Sequence, residues 1–359
     1  QTGLPKEKAI MNILFIGPYR QVDTWGAISK SLIKSISMIE NVGLTTRPIF
    51  LSNSTDGNIE PNIFKFEANK EEEYDVLIQH TLPNYMIYSG EFDKVVGFTS
   101  FETKGNKQWD NYLKLLDKVL VSTEAEKEGV SKEIREKTFS IGGAQEIASL
   151  KGDIPTDRFT FYCFGGGLES RTSVREVIQA YFSEFHLNDS VSLVLQVNDQ
   201  QQAQALVDQV VQEVGFYSLP YYPHIHLVEK EDNLHDSCNC FIDVSSSIGF
   251  NPETAKALLK GNTPIVLKGS GRDEYVKEGS GFIVDSIEDF IICPDRPLKD
   301  MFIARETCFK PSLAALRSNM REAFEDRISL VRKSKSGVDS TEMLSYEKQS
   351  KLIEEILCS

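Results

Sequence analysis

The sequence predicts an α/β protein made of two Rossmann-like domains, each with a doubly wound parallel sheet. Short apolar runs alternate with amphipathic helical stretches, which is the rhythm of βαβ units. The runs are continuous in their hydrophobicity, as in strands buried on both faces of a parallel sheet. The rhythm stops near residues 145–158 and then restarts. A length of 359 residues agrees with two domains of ordinary size.

The first domain is predicted over residues 11–150. It opens with the apolar run MNILFI, and its first helix has Ile28, Leu32 and Ile36 on one face. Residues 1–10 lack a signal peptide's apolar core, and we expect them to be an artificial extension or a disordered segment. Strands are predicted at 11–16, 46–51, 74–79, 94–99, 117–122 and 138–141, and helices at 26–40, 107–116 and 124–129.

The second domain is predicted over residues 151–337. Gly152, Pro155 and Asp157 give the segment 145–158 the composition of a loop, which places the domain junction there. Strands are predicted at 159–164, 192–197, 224–228, 240–244, 264–267 and 281–284. Helices are predicted at 174–185, 201–214, 253–260, 271–277, 312–334 and 346–357.

Charge and composition exclude several classes of protein. The net charge of −14 disfavours general binding to nucleic acid, although residues 1–150 carry only 17 Lys and Arg against 21 Asp and Glu. No apolar run approaches the roughly 20 residues of a membrane span, so no integral membrane association is expected. The six cysteines form no Cys-x-x-Cys pair, and the histidines have no metal-ligand spacing near them. Reduced thiols favour a cytoplasmic protein.

Ligands of open parallel sheets bind beyond the carboxyl ends of the strands, so the loops there are the candidate site. In the first domain the loop after the opening strand contains Gly17, Tyr19, Arg20, Trp25 and Gly26. Its glycines allow close backbone approach, and the helix start that follows favours an anion. The loop lacks the Gly-x-Gly-x-x-Gly spacing of a dinucleotide site, and a turn without a ligand is the alternative.

Two further side chains follow strands of the first domain. His80 comes after the strand at 74–79 and either hydrogen-bonds a sugar hydroxyl, acts as an acid or base near pH 7, or is structural. Glu102 comes after the strand at 94–99 and is either a site carboxylate or a surface charge.

In the second domain, a triple glycine of Gly165, Gly166 and Gly167 follows the first strand. Its backbone N–H groups can bind a diphosphate, and Arg171 can add a bidentate cation. A flexible turn with a solvated arginine is the alternative.

A second loop of this domain, residues 245–252, leads into the helix at 253–260. Ser247 or Asn251 can cap that helix, Pro252 suits its first turn, and Gly261 ends it. A helix start at this position would stabilise a leaving phosphate, and capping alone is the alternative.

These residues resemble the retaining nucleotide-sugar glycosyltransferases of family 4, which have two facing Rossmann-like domains, the GT-B fold. The resemblance covers most of residues 11–359. Residues 12–17 resemble the family's first strand, 166–181 its Gly…Arg-Lys-Gly stretch, and 245–266 its Glu-containing signature. Residues 78–83, with 98–102 and Trp109, resemble a branch frequent in bacteriophage and bacterial genomes. Residues 344–347 resemble a helix, here within 338–359, that packs back on the first domain.

The resemblance implies a division of labour. The second domain would hold a UDP- or GDP-linked sugar through Gly165, Gly166, Gly167, Arg171, Gly249, Phe250, Glu253 and Lys256. The first domain would hold the acceptor or sugar through Gly17, Tyr19, Arg20, Trp25 and Gly26, with His80, Glu102 and Arg171 as the catalytic groups. The resemblance also implies retention of anomeric configuration without a required metal or other cofactor, in agreement with the lack of an Asp-x-Asp signature.

The sequence departs from the family at the residues that matter most. The family's two glutamates fall on Ile248 and Lys256, and its Arg-Lys pair becomes Arg171-Thr172. Lys256 cannot accept the ribose hydrogen bonds made by the second glutamate. Either Glu253, one turn earlier, replaces that glutamate, or Lys256 supplies the cation that Thr172 lacks.

We therefore expect a hexosyl- or pentosyltransferase acting on a hydroxyl acceptor. The acceptor is either a glycan, a lipid-linked or protein acceptor, or a hydroxymethylated phage DNA base, which would have to leave the duplex stack. The alternative is a GT-B homologue without turnover that binds a partner or ligand. The sequence does not indicate the oligomeric state.

Overall fold

The computed structural model describes residues 11–51, 60–71, 73–101, 103–104, 107–146, 158–166, 168, 170–215, 222–229, 234–290 and 306–359. These residues form two compact units. The first unit comprises the described residues up to Ser100, with Lys107–Glu146 and Met343–Ser359. The second unit comprises the described residues of Phe101–Asn106 and Ile147–Glu342. Residues 1–10 and 147–157 lie outside the described residues, as do Glu102 and Gly167.

The described strands of the first unit form a parallel sheet in the order β2-β1-β3-β4-β5-β6. They are β1 Met11–Gly17, β2 Val42–Pro48, β3 Val76–His80, β4 Lys94–Phe98, β5 Lys118–Val121 and β6 Thr138–Ser140. Its helices are α1 Thr24–Ile36, α2 Pro61–Glu67, α3 Asp110–Leu113, α4 Glu124–Gly129, α5 Lys132–Arg135 and, from the chain's end, α12 Tyr346–Cys358. All of β3 is buried, as expected for a central strand covered on both faces.

The second unit repeats this architecture with the strand order β12-β11-β10-β7-β8-β9. The strands of this sheet are β7 Phe159–Gly166, β8 Val191–Val197, β9 Ile225–Val228, β10 Cys240–Asp243, β11 Ile265–Leu267 and β12 Phe282–Val284. A separate antiparallel pair, β13 Ser286–Phe290 and β14 Thr307–Pro311, follows them along the chain. The helices are α6 Val174–Glu184, α7 Gln200–Glu213, α8 Leu234–Ser237, α9 Pro252–Leu259, α10 Leu313–Glu325 and α11 Arg327–Asp339.

The two faces of the second sheet carry separate apolar clusters. One cluster joins the strands to α6, α7 and α10, with Val177, Val207 and Met320 among its members. The other lies under α8 and α9 and includes Tyr162 and Phe241. The sheet is therefore covered by helices on both faces, which confirms the doubly wound prediction for this unit.

Each sheet contains one point where the strand order reverses. In the first unit this point lies between β1 and β3, and in the second it lies between β7 and β10. The loops that leave two such strands diverge, so a crevice forms at the carboxyl ends of the strands. The candidate site is therefore expected in the loops after β1, β3, β7 and β10.

The last helix returns to the first unit, as the sequence predicts. The Ser345 hydroxyl accepts a hydrogen bond from the Lys348 amide and caps α12. Gln349 is buried, where its Oε1 accepts from Ser35 Oγ of α1 at 2.8 Å and its Nε2 donates to the Gly142 carbonyl at 2.8 Å. A single buried amide thus joins α12, α1 and the end of the first sheet.

Several elements differ from the sequence-based predictions. The helix predicted at 312–334 is divided into α10 and α11 because Asp326 leaves the helical conformation and its Oδ1 accepts from the Ser329 amide at 2.8 Å, as an N-cap does. The strand predicted at 46–51 begins at Val42, which pairs with Met11. The helix predicted at 271–277 is a 3₁₀ turn of Arg272–Glu274. The predictions did not include α2, α5, α8 or the β13–β14 pair.

Gln349→Leu should lower the free energy of unfolding by about 2 kcal/mol or more, because it leaves the Ser35 hydroxyl and the Gly142 carbonyl buried without partners. Urea unfolding followed by far-ultraviolet circular dichroism measures the change. Lys351→Ala, at an exposed position of the same helix, is the control and should change the value by less than about 0.5 kcal/mol. Equal unfolding free energies for the two variants would contradict the bridging role.

Candidate functional site

The loop after β7 has the backbone geometry of a close-approach loop. Gly166 has a φ of +50°, in the left-handed region that favours glycine. The Gly165 carbonyl accepts from the Leu168 amide at 2.9 Å, and the Gly166 carbonyl accepts from the Asn198 amide at 2.9 Å. These bonds fix the two predicted glycines at the carboxyl end of β7. The third predicted glycine, Gly167, lies outside the described residues.

The start of α6 follows this loop and has no side-chain cap. Ser173 has a φ of +54°, and its buried hydroxyl makes no hydrogen bond within the described part of the chain. Gln196 Oε1, on the neighbouring β8, is likewise buried without a partner in the described residues. Buried polar atoms are normally satisfied, so the unpaired Ser173 hydroxyl at this helix start is a feature of a site that takes a polar ligand or water.

The two predicted loops of the second unit meet at the switch point of its sheet. Arg171 lies in a 3₁₀ turn of Ser170–Thr172, and its carbonyl accepts from the Ser246 amide at 2.8 Å. Ser246 belongs to the loop that follows β10 and precedes α9. The structure therefore brings together the glycine-rich loop and the approach to α9, which are about 80 residues apart in sequence.

A buried ion pair at the end of β10 organises the second loop. Asp243 Oδ2 accepts from Arg272 Nε at 2.6 Å, and Oδ1 accepts from Arg272 Nη2 at 3.1 Å. The side chains are 5% and 0% exposed. Burial alone would raise the pKa of Asp243, but the charge and hydrogen bonds of Arg272 outweigh it and hold that pKa at about 2. Arg272 also donates to the backbone carbonyls of Ser245 and Ser247, which fixes the path of the loop.

The same carboxylate anchors the start of α9. Asn251 Nδ2 and Thr254 Oγ1 donate to Asp243 Oδ2 at 2.7 Å and 2.6 Å. Asn251 Oδ1 accepts from the Glu253 amide at 2.9 Å, so Asn251, and not Ser247, is the cap of the helix. Pro252 occupies the first turn, as its sequence position predicts.

The residues between Ser246 and the cap of α9 are packed rather than exposed. Gly249 is buried, and the Phe250 ring packs on Tyr275 at a centroid distance of 5.4 Å. Ile248, at the position of the family's first glutamate, is 1% exposed and lies in the core. Phe250 therefore supports the loop, and Ile248 contributes no polar group to the site.

Glu253 and Lys256 form an ion pair one turn apart on α9. Lys256 Nζ donates to Glu253 Oε1 at 2.7 Å, and His235 Nε2 lies 2.9 Å from Glu253 Oε2. Burial alone would raise the pKa of Glu253, but the hydrogen bond from His235 and the charge of Lys256 lower it overall. The two side chains remain 33% and 41% exposed, so both lie at the surface of the unit.

In the first unit, the loop after β1 is held by local contacts. Asp23 Oδ1 accepts from the Gly26 amide at 2.9 Å and caps α1. A Cβ at Gly26 would lie 2.0 Å from the Gln21 carbonyl oxygen, so this position requires glycine. Gly17 is buried at the end of β1.

Tyr19 of this loop is enclosed by the first unit, and Arg20 is engaged by an ion pair. Tyr19 is fully buried, and burial raises the pKa of its hydroxyl. Arg20 donates to both carboxylate oxygens of Glu67 on α2, through Nε and Nη2. Tyr19 therefore supports the loop from inside, and the Arg20 charge is neutralised by an ion pair.

His80 ends β3 and is enclosed by the first unit. Its Nδ1 lies 2.6 Å from Ser29 Oγ of α1, and its ring stacks on Trp25 at 4.9 Å with an interplanar angle of 10°. The Phe98 ring meets it edge-on at 4.8 Å. Burial lowers the pKa of His80 to about 3, so the imidazole is neutral at physiological pH.

One nitrogen of this imidazole has no partner in the protein. Within the described residues, His80 Nε2 is buried without a hydrogen bond, as are the hydroxyls of Thr81 and Thr99. Because His80 pairs with Phe98 in the parallel register, these threonines follow at the same edge of the sheet. The switch point of the first unit is thus a buried polar site. Glu102, predicted beside it, lies outside the described residues.

Sequence reasoning missed the groups that hold the second site together. Asp243 and Arg272 are 29 residues apart and belong to no motif. The spacing of the histidines assigns no role to His235, and Tyr162 is one residue of an apolar run. A partial signal was present, because Asp243 is a charged residue that ends a continuous apolar strand at a switch point.

The fold matches solved structures, one of which is a galactosyltransferase. Anabaena HepE, in complex with UDP and glucose, has a TM-score of 0.61 and 15% identity, with 97% of this chain and 99% of HepE covered. The apo lipopolysaccharide outer core galactosyltransferase WaaB has a TM-score of 0.65 and 12% identity, with 97% and 99% covered. TarM has a TM-score of 0.59 and 10% identity over 79% of this chain, which spans 55% of TarM. These likenesses confirm the prediction of two Rossmann-like domains with the GT-B fold.

The comparisons of the sequence with protein-family models and with curated proteins find no relatives.

Among the described residues, no group of three or more His, Cys, Asp and Glu side chains is arranged to hold a metal ion. None of the helices in the described ranges combines the length and apolar character needed to cross a membrane.

Arg272→Met should lower the free energy of unfolding by about 3 to 5 kcal/mol, because it leaves the Asp243 carboxylate buried without its cation. Urea unfolding measures the loss. Lys268→Met is the matched control, since it removes the cation of the exposed Lys268–Asp285 pair and should cost less than about 0.5 kcal/mol. A similarly small loss for Arg272→Met would contradict the organising role of the pair.

The Asp243 carboxylate should also give the protein a defined acid sensitivity. Its folded-state pKa of about 2 lies below the ordinary 3.8, so its stabilisation is present above pH 4 and is lost as the pH falls toward 2. The difference corresponds to about 2 kcal/mol. Unfolding free energies measured between pH 5 and pH 2.5 should fall less steeply for Asp243→Asn than for the wild type. Parallel pH profiles would refute this assignment.

Proposed function

We propose that the chain is a glycosyltransferase that uses a nucleotide diphospho-sugar as donor. One observation carries the proposal: the glycine-rich loop and the approach to α9 are hydrogen-bonded to each other at the switch point of the second sheet, through Ser246 and Arg171. This is the place where open α/β sheets bind ligands. The likeness in fold to HepE, which was solved with UDP and glucose, supports a nucleotide-sugar as the ligand.

In this proposal the second unit stabilises the departing diphosphate. The backbone N–H groups at the starts of α6 and α9 present positive ends of helix dipoles, and Gly165 and Gly166 allow the phosphates to approach the main chain. Arg171 adds a permanent cation. Negative charge develops on the leaving phosphate as the glycosidic bond breaks, so fixed donors at this position lower the barrier.

Of the two roles left open by the sequence, we propose that Lys256 supplies the missing cation. Glu253 already accepts hydrogen bonds from His235 and Lys256. The Lys256 ammonium has three N–H donors, one of which is directed to Glu253, and its side chain is 41% exposed. Two donors therefore remain for phosphate oxygens. Gly249 and Phe250 shape the loop without direct charge.

The first unit is proposed to bind the sugar or acceptor through His80. A neutral imidazole with one unsatisfied nitrogen is suited to a hydroxyl group, and the Thr81 and Thr99 hydroxyls at the same edge of the sheet are likewise buried without a partner in the described residues. The low pKa argues against His80 as a base near pH 7 and favours the hydrogen-bonding role. Trp25 stacks on the imidazole and fixes its plane. Glu102, Tyr19 and Arg20 remain proposed neighbours of this site.

The finer features of the reaction follow the resemblance to family 4. We propose transfer with retention of anomeric configuration, with protein cations in place of a metal at the diphosphate. A glycan is the proposed acceptor in preference to a hydroxymethylated DNA base, because a net charge of −14 opposes binding to a phosphate backbone. A gel shift with hydroxymethylated DNA at low salt tests the DNA acceptor. Binding of the protein to that DNA would favour the DNA base over the glycan.

One observation favours the rival function of a binding protein without turnover. The positions of the family's two glutamates are a core isoleucine, Ile248, and a lysine, Lys256. A scaffold could retain the donor site and lose catalysis. Donor hydrolysis distinguishes the two functions, since a binding protein would bind the nucleotide-sugar without releasing the sugar.

The donor site should bind a nucleoside diphosphate, and Lys256→Met should weaken that binding about 10-fold or more, because a charge-assisted hydrogen bond to phosphate is lost. Isothermal calorimetry with UDP, GDP and ADP measures the affinity. The control is Lys335→Met on the exposed face of α11, which should leave it unchanged. No binding of any of the three by the wild type at millimolar concentration would falsify the proposed function.

A further inference from the structure

A chain of four side chains runs from the core of the second unit to the surface of α9. The hydroxyl of Tyr162 on β7 lies 2.7 Å from His235 Nδ1, and His235 Nε2 lies 2.9 Å from Glu253 Oε2. The next link is the 2.7 Å bond between Glu253 Oε1 and Lys256 Nζ. Tyr162 is fully buried, whereas the Lys256 side chain is 41% exposed. The network thus connects a fixed point in the core to a cation at the surface.

When the His235 imidazole is neutral, the donor and the acceptor of each hydrogen bond in this network can be assigned in only one way. Burial raises the pKa of Tyr162 well above its usual value, so its hydroxyl keeps its proton. The pKa of Glu253 is lowered overall, so its carboxylate is ionised and can only accept. His235 Nε2 must therefore carry the hydrogen, and Nδ1 must accept from Tyr162. The tautomer of His235 is set by its two neighbours.

The position of the imidazole is fixed as tightly as its tautomer. The rings of Tyr162, Phe164 and Phe241 surround it at centroid distances of 5.5, 5.4 and 5.7 Å. Asn262 Nδ2 donates to the His235 carbonyl at 2.7 Å and holds the backbone of α8. The imidazole can therefore offer its Nε2–H group at only one place, which is where the Glu253 carboxylate lies.

A lysine side chain has four flexible bonds, and its ordering upon ligand binding costs conformational entropy. The bond to Glu253 holds Lys256 in one arrangement before any ligand arrives. Glu253 can do so only if its own carboxylate is held, and His235 is the group that holds it from the core side. The order of the surface cation thus depends on a residue whose side chain is only 10% exposed.

We propose that His235 is a positioning residue for donor binding, which orients Lys256 toward the donor diphosphate through Glu253. This inference rests on the proposed function, because it assigns the diphosphate to Lys256. It adds a residue outside the glycine-rich loop and outside the signature at 245–266. It also gives Tyr162 a role, which is to donate to His235 Nδ1 and hold the imidazole in place.

The test compares a nucleoside diphosphate with its nucleoside. The probes are the tightest binder among UDP, GDP and ADP and the corresponding nucleoside, which lacks the diphosphate. His235→Ala should weaken binding of the diphosphate by about 3- to 10-fold and leave binding of the nucleoside unchanged. His235→Gln, which keeps an amide donor for Glu253, should restore most of the affinity. The control is His226→Ala, which changes an exposed histidine on β9 of the same unit and should leave both affinities unchanged.

A double-mutant cycle shows whether His235 acts through Lys256. In a Lys256→Met background the His235→Ala change should have no further effect on diphosphate affinity, since the positioned group is gone. An equal loss in both backgrounds, or an equal loss for nucleoside and diphosphate, would mean a purely structural role and overturn the proposal. If wild-type protein binds no nucleoside diphosphate, the proposed function fails. Binding that depends on Lys256 but not on His235 refutes this inference alone.

A second readout does not depend on a truncated variant. At a pH where the imidazole is neutral, nitrogen-15 NMR should show the Nε2–H tautomer of His235 in the wild type. Tyr162→Phe keeps the ring and removes only the hydroxyl that donates to Nδ1. The Glu253 carboxylate should still require the Nε2–H tautomer, whereas loss of the Tyr162 bond should loosen the imidazole and lower diphosphate affinity by about 3-fold. An Nδ1–H tautomer in the wild type would contradict the proposed direction of the network.

Discussion

The ion pair between Asp243 and Arg272 is the interaction on which the second unit's candidate site depends. It lies at the carboxyl end of β10, beside the point where the strand order of the sheet reverses. The pair is almost completely removed from solvent. A buried pair of this kind adds little net stability compared with apolar packing, but breaking it is costly. Its value here is geometric, because the same two side chains fix the loop backbone at Ser245 and Ser247 and the cap of α9. A loop held in this way needs little rearrangement when a ligand binds.

The first unit solves a different problem with different chemistry. Its switch point has no buried ion pair among the described residues; it has a neutral imidazole and threonine hydroxyls instead. Burial keeps His80 uncharged, and the stacked Trp25 ring keeps it oriented. Uncharged donors and acceptors suit a polyhydroxyl compound, whereas the cations of the second unit suit phosphate. The two units thus share a fold and differ in the polarity of the groups at corresponding places.

Much of the fold could be predicted because parallel strands are continuous apolar runs and the helices have a clear period. The same logic located the loops at the strand ends, including those of Gly17, His80, Gly165 and Gly249. It could not find contacts between residues distant in sequence, such as Asp243 with Arg272 or Tyr162 with His235, since neither pair has a spacing rule. Local chemistry also misled it at Asp326, where a helical pattern continues across a residue whose side chain caps a new helix. The burial of Tyr19 and His80, and with it the low pKa of His80, is a property of packing that composition does not reveal.

The caps of α1 and α9 give the two units opposite preferences for anions. Asp23 places its own negative charge on the amides at the start of α1, so a phosphate arriving there would meet an occupied, repelling terminus. The start of α9 is capped by the uncharged amide of Asn251, and the one acidic side chain of its first turn is neutralised by Lys256. One carboxylate at position 23 therefore closes the start of α1 to a phosphate group, while no acidic cap does so at the start of α9.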